Sequence, residues 1–193
     1  MNFKRHLEIA WHLLFTFIAP LLIMTLVMFG VGFVTLGILA PVVMAGYMQS
    51  VLLMVRERRE PKIQDLFSQM RLFLPLFLFG ILVLIVSLVG FLLFIVPGFL
   101  LTFALSYCCI YLLPLMVDRD MGLTDALRAS FHLALKDAAT DHLVVMILYL
   151  GILTIGGSTV IGSLFTLPFA TIFLMSVYDE RISRGDLLAV KLK

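Results

Sequence analysis

Polar and hydrophobic positions separate into long blocks along this chain. Three stretches carry no Asp, Glu, Lys or Arg: 9–55, 72–117 and 142–178, which are 47, 46 and 37 residues long. One helical crossing of about 30 Å of hydrocarbon takes about 20 residues at about 1.5 Å rise each. A block of 46 or 47 residues therefore suits two crossings and a tight turn. Turn formers stand near the middle of each block: Gly30, Gly32, Gly37 and Pro41 in the first, Gly90 and Pro97-Gly98 in the second, Gly156, Gly157 and Gly162 in the third. Pro20, Pro75, Pro114 and Pro168 lie nearer the block ends, where kinks are expected. The pattern predicts an all-α fold: a polytopic membrane helix bundle with about six transmembrane helices in three hairpins, 13–55, 72–117 and 142–178. The third block is short for two full crossings, about 55 Å of helix against about 60 Å. Two tilted short spans or a re-entrant hairpin both satisfy it, and the length rule favours crossing.

Between the blocks the period changes to that of amphipathic helices. Ile63, Leu66, Phe67 and Met70 recur at i, i+3, i+4, i+7, with Pro61 suited to opening the turn, which predicts a surface helix over 62–70. Over 123–136, Asp125, Arg128, His132 and Lys136 form a polar stripe opposite Leu123, Leu127 and Phe131, with Thr124 as the expected N-cap. Over 3–12, Phe3, Leu7, Ala10, Trp11 and Leu14 share one face and Lys4, Arg5, Glu8 and His12 another. These short amphipathic cytoplasmic surface helices lie on the inner leaflet or pack against the span ends. The order is surface helix, span, turn, span, three times over, without residue-level similarity between the units. All three would enter from the same side, unlike the inverted repeats of many secondary transporters.

Composition strengthens this picture. Of the 193 residues, 62% are hydrophobic and 13% charged, against about 45–50% and about 25% in soluble domains. This excludes a soluble globular protein, a disordered tail and a nucleic-acid binder. An even number of spans between charged clusters puts all 14 Lys and Arg on one side. The positive-inside rule makes that side cytoplasmic, so both termini and the 179–193 tail face inward in a bacterial-type cytoplasmic (inner) membrane. The apolar stretch after Lys4 and Arg5 is far longer than a signal-peptide core and is expected to be an uncleaved first span. Cys108 and Cys109 are adjacent, point about 100° apart on a helix, and suit neither a bridge nor a shared metal.

Four pieces of the chain, in order, carry a family resemblance. They are Arg59-Glu60-Pro61 leading into Asp65-Leu66-Phe67; Ile95-Val96-Pro97-Gly98; Pro114-Leu115-Met116-Val117-Asp118-Arg119 followed by Ala126-Leu127-Arg128-Ala129-Ser130; and Pro168 with Tyr178. Together, over roughly 40–178, they resemble the membrane domain of the glycerophosphoryl diester phosphodiesterase family and related stand-alone bacterial integral membrane proteins of unknown function. The resemblance implies six or so helices with cytoplasmic loops and no agreed activity for the domain. The phosphodiesterase domain itself is not expected in a chain occupied by spans and short loops, and Arg184-Gly185-Asp186 is not its active site.

Catalytic chemistry finds little to build on. His6, His12, His132 and His142 lack i, i+4 metal spacing, and neither a G-x-S-x-G elbow nor a Walker loop is present. His6 and His12 are expected to be ordinary interfacial polar residues. Asp118 and Asp120 flank Arg119, and Asp137 and Asp141 form another carboxylate pair; solvated loop residues are the expected reading. No enzyme activity, cofactor or metal is expected. Ion-coupled carriers keep ionisable residues in their spans, and here His142 at a block edge is the sole candidate.

Two functions remain. In the first, the bundle binds or organises membrane lipids, anionic ones among them, or assists another membrane protein. Headgroup contact would fall to Arg56, Arg59 and Arg71 in the densest basic cluster, although Glu57, Glu60 and Asp65 dilute its field. In the alternative, a homo-oligomeric channel or passive transporter, Tyr47, Gln49 and Ser50 with Thr102, Ser106, Tyr107 and Tyr111 would line a cavity; interhelical hydrogen bonding and interfacial anchoring are the preferred explanation of them. Gly46 with Ser50, and Ser158 with Gly162, are small-xxx-small pairs that allow close helix contact within or between chains. The first function is the expected one.

Overall fold

The computed structural model of the chain describes residues 2–93, 95–136 and 139–183. Asp137 and the tail from 184 onward, including Arg184-Gly185-Asp186, lie outside the described residues. Within them the fold is helical, without a strand: α1 (Phe3–Thr16), α2 (Ile18–Val34), α3 (Ala40–Glu57), α4 (Phe73–Leu93), α5 (Ile95–Cys109), α6 (Leu112–Asp118), α7 (Leu123–Lys136), α8 (Ala139–Gly157) and α9 (Val160–Ser183). Four helical stretches are long and apolar enough to cross a membrane: Ile63–Leu92, Val96–Asp118, Thr140–Gly157 and Val160–Ser183. A fifth follows if α1 and α2, bent by 88° at Phe17, act as one span. α3 is not among them because Tyr47, Gln49, Ser50, Arg56 and Glu57 dilute its apolar content.

Between α2 and α3, Leu36 and Gly37 take left-handed dihedrals (φ 50° and 81°), and the Gly37 amide donates to the Gly32 carbonyl at 2.7 Å. This is the ordinary way to end a helix, and glycine adopts that dihedral without steric penalty. Three of the four outer prolines stand just after a break in the helical chain, the break before Pro20 being the 88° bend at Phe17. Pro20, Pro75 and Pro114 each occupy the third position of α2, α4 and α6, where a missing N–H deprives no carbonyl of a partner. Pro168 alone stands inside a helix.

The predicted surface helices are met unequally. α7 begins and ends at the expected residues, with Thr124 inside its first turn rather than capping it. α1 extends four residues beyond the expected end. The 62–70 segment is instead two 3₁₀ turns, Ile63–Phe67 and Met70–Leu72. There the Asp65 carboxylate accepts from the Lys62 amide and the Ser50 hydroxyl. That local bonding competes with an α-helix too short to nucleate alone.

α1 and α7 turn a narrow face to the bundle and leave the apolar aromatics of the expected stripe free to meet a leaflet. α1 buries His6, Ala10, Leu13 and Leu14 and leaves Trp11 60% exposed. α7 buries Ala126, Ala129, Ser130, Leu133 and Ala134, while Phe131 stays 49% exposed. In both, the narrower face allows close approach to the bundle, and the large aromatics point outward.

The core gathers at the end of the bundle that carries the charged clusters. α3 is buried along most of its length, with the last turns of α6 and the second half of α9 packed around it. α9 also touches α1, α2 and α8. At the opposite end Phe33, Leu36, Leu92, Val96, Ile155 and Ile161 are exposed, an apolar distribution suited to a bilayer rather than to water.

Candidate functional site

The ends of three helices meet at one point. Arg56 stands in the last turn of α3, Asp118 is the last residue of α6, and Asp179 lies in the last turns of α9. Arg56 donates from Nε to Asp179 Oδ1 at 2.6 Å and from Nη2 to Asp118 Oδ2 at 3.1 Å, while its Nη1 pairs with Asp118 Oδ1. Asp118 also accepts from the Tyr178 hydroxyl at 3.0 Å, and Arg119 Nε lies 3.5 Å away. Bidentate guanidinium–carboxylate bonding is the stronger, geometrically specific kind. The hydrogen bonds to Asp118 hold the Arg56 pKa above the usual arginine value against the opposing effect of burial, with Asp179 adding in the same direction.

A second polar layer seats the 59–71 loop on α3. Arg59 pairs with Asp65, whose Oδ2 also accepts from Ser50 Oγ at 2.7 Å. Gln49 Oε1 accepts from Ser68 Oγ at 2.6 Å and from Gln69 Nε2 at 2.7 Å. Arg71 donates to Gln69 Oε1 and pairs with Asp120. Asp120 takes a left-handed dihedral, φ 52°. Gly46 lies directly beneath the loop: a Cβ there would meet Leu66 O at 2.3 Å and Asp65 O at 2.4 Å. The Gly46 and Ser50 pair therefore receives loop backbone rather than another helix. Between the two layers opens a cleft of about 400 Å³ whose walls include Gln49, Arg56, Gln69, Arg71, Asp118 and Asp120.

The three arginines expected to meet headgroups are brought to this end, and each guanidinium already has a carboxylate partner. Their positive field is largely cancelled inside the chain. The residues expected to line a cavity do not converge: Ser50 donates to Asp65, and Tyr111 is buried beneath Arg181. Tyr47 is fully buried with its hydroxyl 3.1 Å from Thr25 Oγ1, and Gln49 holds the loop. Thr102 bonds back to the Gly98 carbonyl, Tyr107 donates to the Ala134 carbonyl, and half-buried Ser106 lines neither the cleft nor the apolar grooves described below. Asp118 and Asp120 serve different arginines, and among the described residues no three His, Cys, Asp or Glu side chains gather as a metal site would need.

Other polar contacts were not visible in the sequence. His6 is 2% exposed, with Nδ1 2.8 Å from Ser176 Oγ and Nε2 2.8 Å from a Glu180 carboxylate oxygen. His142 Nε2 lies 2.7 Å from the Tyr107 carbonyl and must donate to it, which places the neutral ring's proton there. Buried Arg181 stacks over Tyr111 at 5.4 Å from the ring centroid. All three partnerships span distant segments, and no local spacing announces them.

Along the flanks, apolar grooves open sideways between helices. One of about 570 Å³ runs between α1, α8 and α9 past Leu7, Trp11, Leu148, Ile152 and Phe169, with Lys4 and Glu8 at its edge. Another of about 460 Å³ lies between α5 and α8 against Phe103, Ala104, Tyr107, Cys108 and Leu143. A third of about 410 Å³ lies between α5 and α7. Their volumes fall in the range of about 300–1,000 Å³ that suits an organic ligand.

No protein-family model, curated protein or solved structure matches this chain.

Proposed function

We propose that this protein is a non-catalytic integral membrane protein that binds and organises bilayer lipids around a helical bundle. The observation that carries this reading is where its free space lies. The large apolar grooves open laterally on the flanks, where acyl chains would be. Of the polar side chains that a path through the bundle would need, Tyr47, Gln49, Thr102 and Tyr107 are spent on hydrogen bonds within it.

In the full reading the chain makes about six crossings in three hairpins of a bacterial-type inner membrane, with α1, α7 and the 59–71 loop on the cytoplasmic face. The positive-inside rule supports that orientation, since the turns at the far end carry no Lys or Arg. The resemblance to the phosphodiesterase-associated membrane domain belongs to the same proposal and supplies no reaction. Its motif residues Arg59, Asp65, Asp118 and Tyr178 hold the charged end of the bundle together.

Native mass spectrometry from mild detergent tests the function, because it reads subunit number and retained lipid together. A monomer or dimer carrying phospholipid is expected. A fixed ring of four or more copies without lipid would overturn the reading in favour of a pore. Orientation is tested separately with an impermeant thiol reagent after Cys108 and Cys109 are replaced. A cysteine at 35 should label from outside, and cysteines at 60 and 130 should not; the reverse pattern would invert the topology.

A further inference from the structure

The groove between α5 and α7 has at its rim a cation unpaired among the described residues, whereas Lys4 at the α1 groove lies 3.8 Å from the Glu8 carboxylate. Its floor is the stripe Leu101, Ala104, Leu105 and Cys108, at i, i+3, i+4 and i+7 of α5, and its far wall is Leu127 and Phe131 of α7. Arg128 belongs to the same lining. Among the described residues no carboxylate lies within ion-pairing distance of its guanidinium, in contrast to Arg56, Arg59, Arg71 and Arg119. The arrangement follows from how α7 packs. By burying its small face, with Ser130 bonded to the Cys108 carbonyl, it leaves Leu127 and Phe131 outward beside an unneutralised cation.

We infer that this groove binds an anionic diacyl phospholipid of the bilayer, with its phosphate on Arg128 and one acyl chain along the α5 stripe. Charge complementarity selects the headgroup: a phosphodiester supplies the negative charge that the protein withholds from Arg128, and a guanidinium is well shaped to receive it. The lining selects the tail, since apart from Arg128 the wall offers Leu, Ala, Cys and Phe. Arg128 lies on the helix that follows the charged end of α6, while the stripe runs from Cys109 toward the apolar tip through Leu101. Head and tail thus take the sense they have in a membrane. The neighbouring groove on the α8 side shares Ala104 and Cys108, so these two small residues form a low ridge between two channels, one for each chain of the same lipid.

This inference rests on the lipid-binding reading, and its test separates the two. The full chain in mild detergent is given equal phosphatidylglycerol and phosphatidylcholine, and retained lipid is read by native mass spectrometry. The wild type is expected to prefer phosphatidylglycerol. Arg128→Gln should lower that preference about fivefold, the value of one interfacial cation. Ala104→Phe, which raises the ridge without altering charge, should reduce retained phosphatidylglycerol by at least as much. Arg5→Gln, an exposed cation on α1, should change neither, with far-UV circular dichroism confirming the helix content of every variant. An unchanged preference in Arg128→Gln, or unchanged retention in Ala104→Phe, would overturn this site while lipid binding stands. A wild type that retains no lipid would overturn the functional reading and this inference with it.

Discussion

Gly46→Ala is expected to destabilise the bundle by about 3 kcal/mol, at the upper end of what overpacking a core position does. For a chain of this size that lowers the unfolding midpoint by about 6–12 °C. The reason is the rigidity of what the new methyl would meet. The Leu66 and Asp65 carbonyl oxygens at 2.3 and 2.4 Å are backbone atoms of a loop tied down by Arg59, Ser50 and Gln49, so no rotamer change relieves the contact. The loop must lift, and the Ser50–Asp65 bond must lengthen with it. Gly30→Ala and Gly151→Ala provide the contrast, because a Cβ at either has nothing within 4 Å. Both should be neutral or slightly stabilising, since alanine favours the helix by up to about 1 kcal/mol. Thermal unfolding in one detergent, followed by circular dichroism, compares the three. Equal midpoints for Gly46→Ala and Gly30→Ala would show that the loop does not sit on α3 as described.

How far this architecture can be read from sequence depends on how local its causes are. The three apolar blocks, the turn between α2 and α3 and the extent of α7 follow from composition, glycine placement and a 3.6-residue period, all of which act within a few residues. The 62–70 segment has the same periodicity as α7 and a different outcome, because Asp65 is claimed by Ser50 and Arg59 from outside the segment. Periodicity does not give the side of α1 and α7 that faces the rest of the protein. It ranks residues by hydrophobicity, whereas close packing on a crowded bundle selects the narrow side with Ala10 or Ala126 and Ala129 and turns Trp11 and Phe131 away. The arginines expected at headgroups were legible as a cluster, but their partners were not. Asp118 is 62 residues from Arg56 and Asp179 is 123 away, so a count of local charge could not tell an open basic patch from a neutralised one.

Asp118→Ala is expected to cost about 2–4 kcal/mol. The carboxylate takes the paired bonds of Arg56 and the Tyr178 hydroxyl, and its side chain is only 9% exposed. Removing one member of such a pair leaves the other desolvated without its partner, which is the costly case. The estimate stays below the full buried-pair value because Arg56 keeps Asp179 and is 31% exposed, so water can recover part of the loss. Tyr178→Phe removes one hydrogen bond to the Asp118 carboxylate and should cost about 1.5–2 kcal/mol, the lower part of the range for a charged acceptor. The informative comparison is Arg56→Met combined with Asp118→Leu. An apolar pair of similar bulk leaves no orphaned charge between those two positions, so the double variant should be more stable than the sum of its single variants predicts. Simple additivity, measured by unfolding midpoints in one detergent, would mean that the two residues do not act together. Coupling would show that the ends of α3 and α6 are held to each other by this contact, which apolar packing in a bilayer, lacking the hydrophobic drive available in water, is poorly placed to replace.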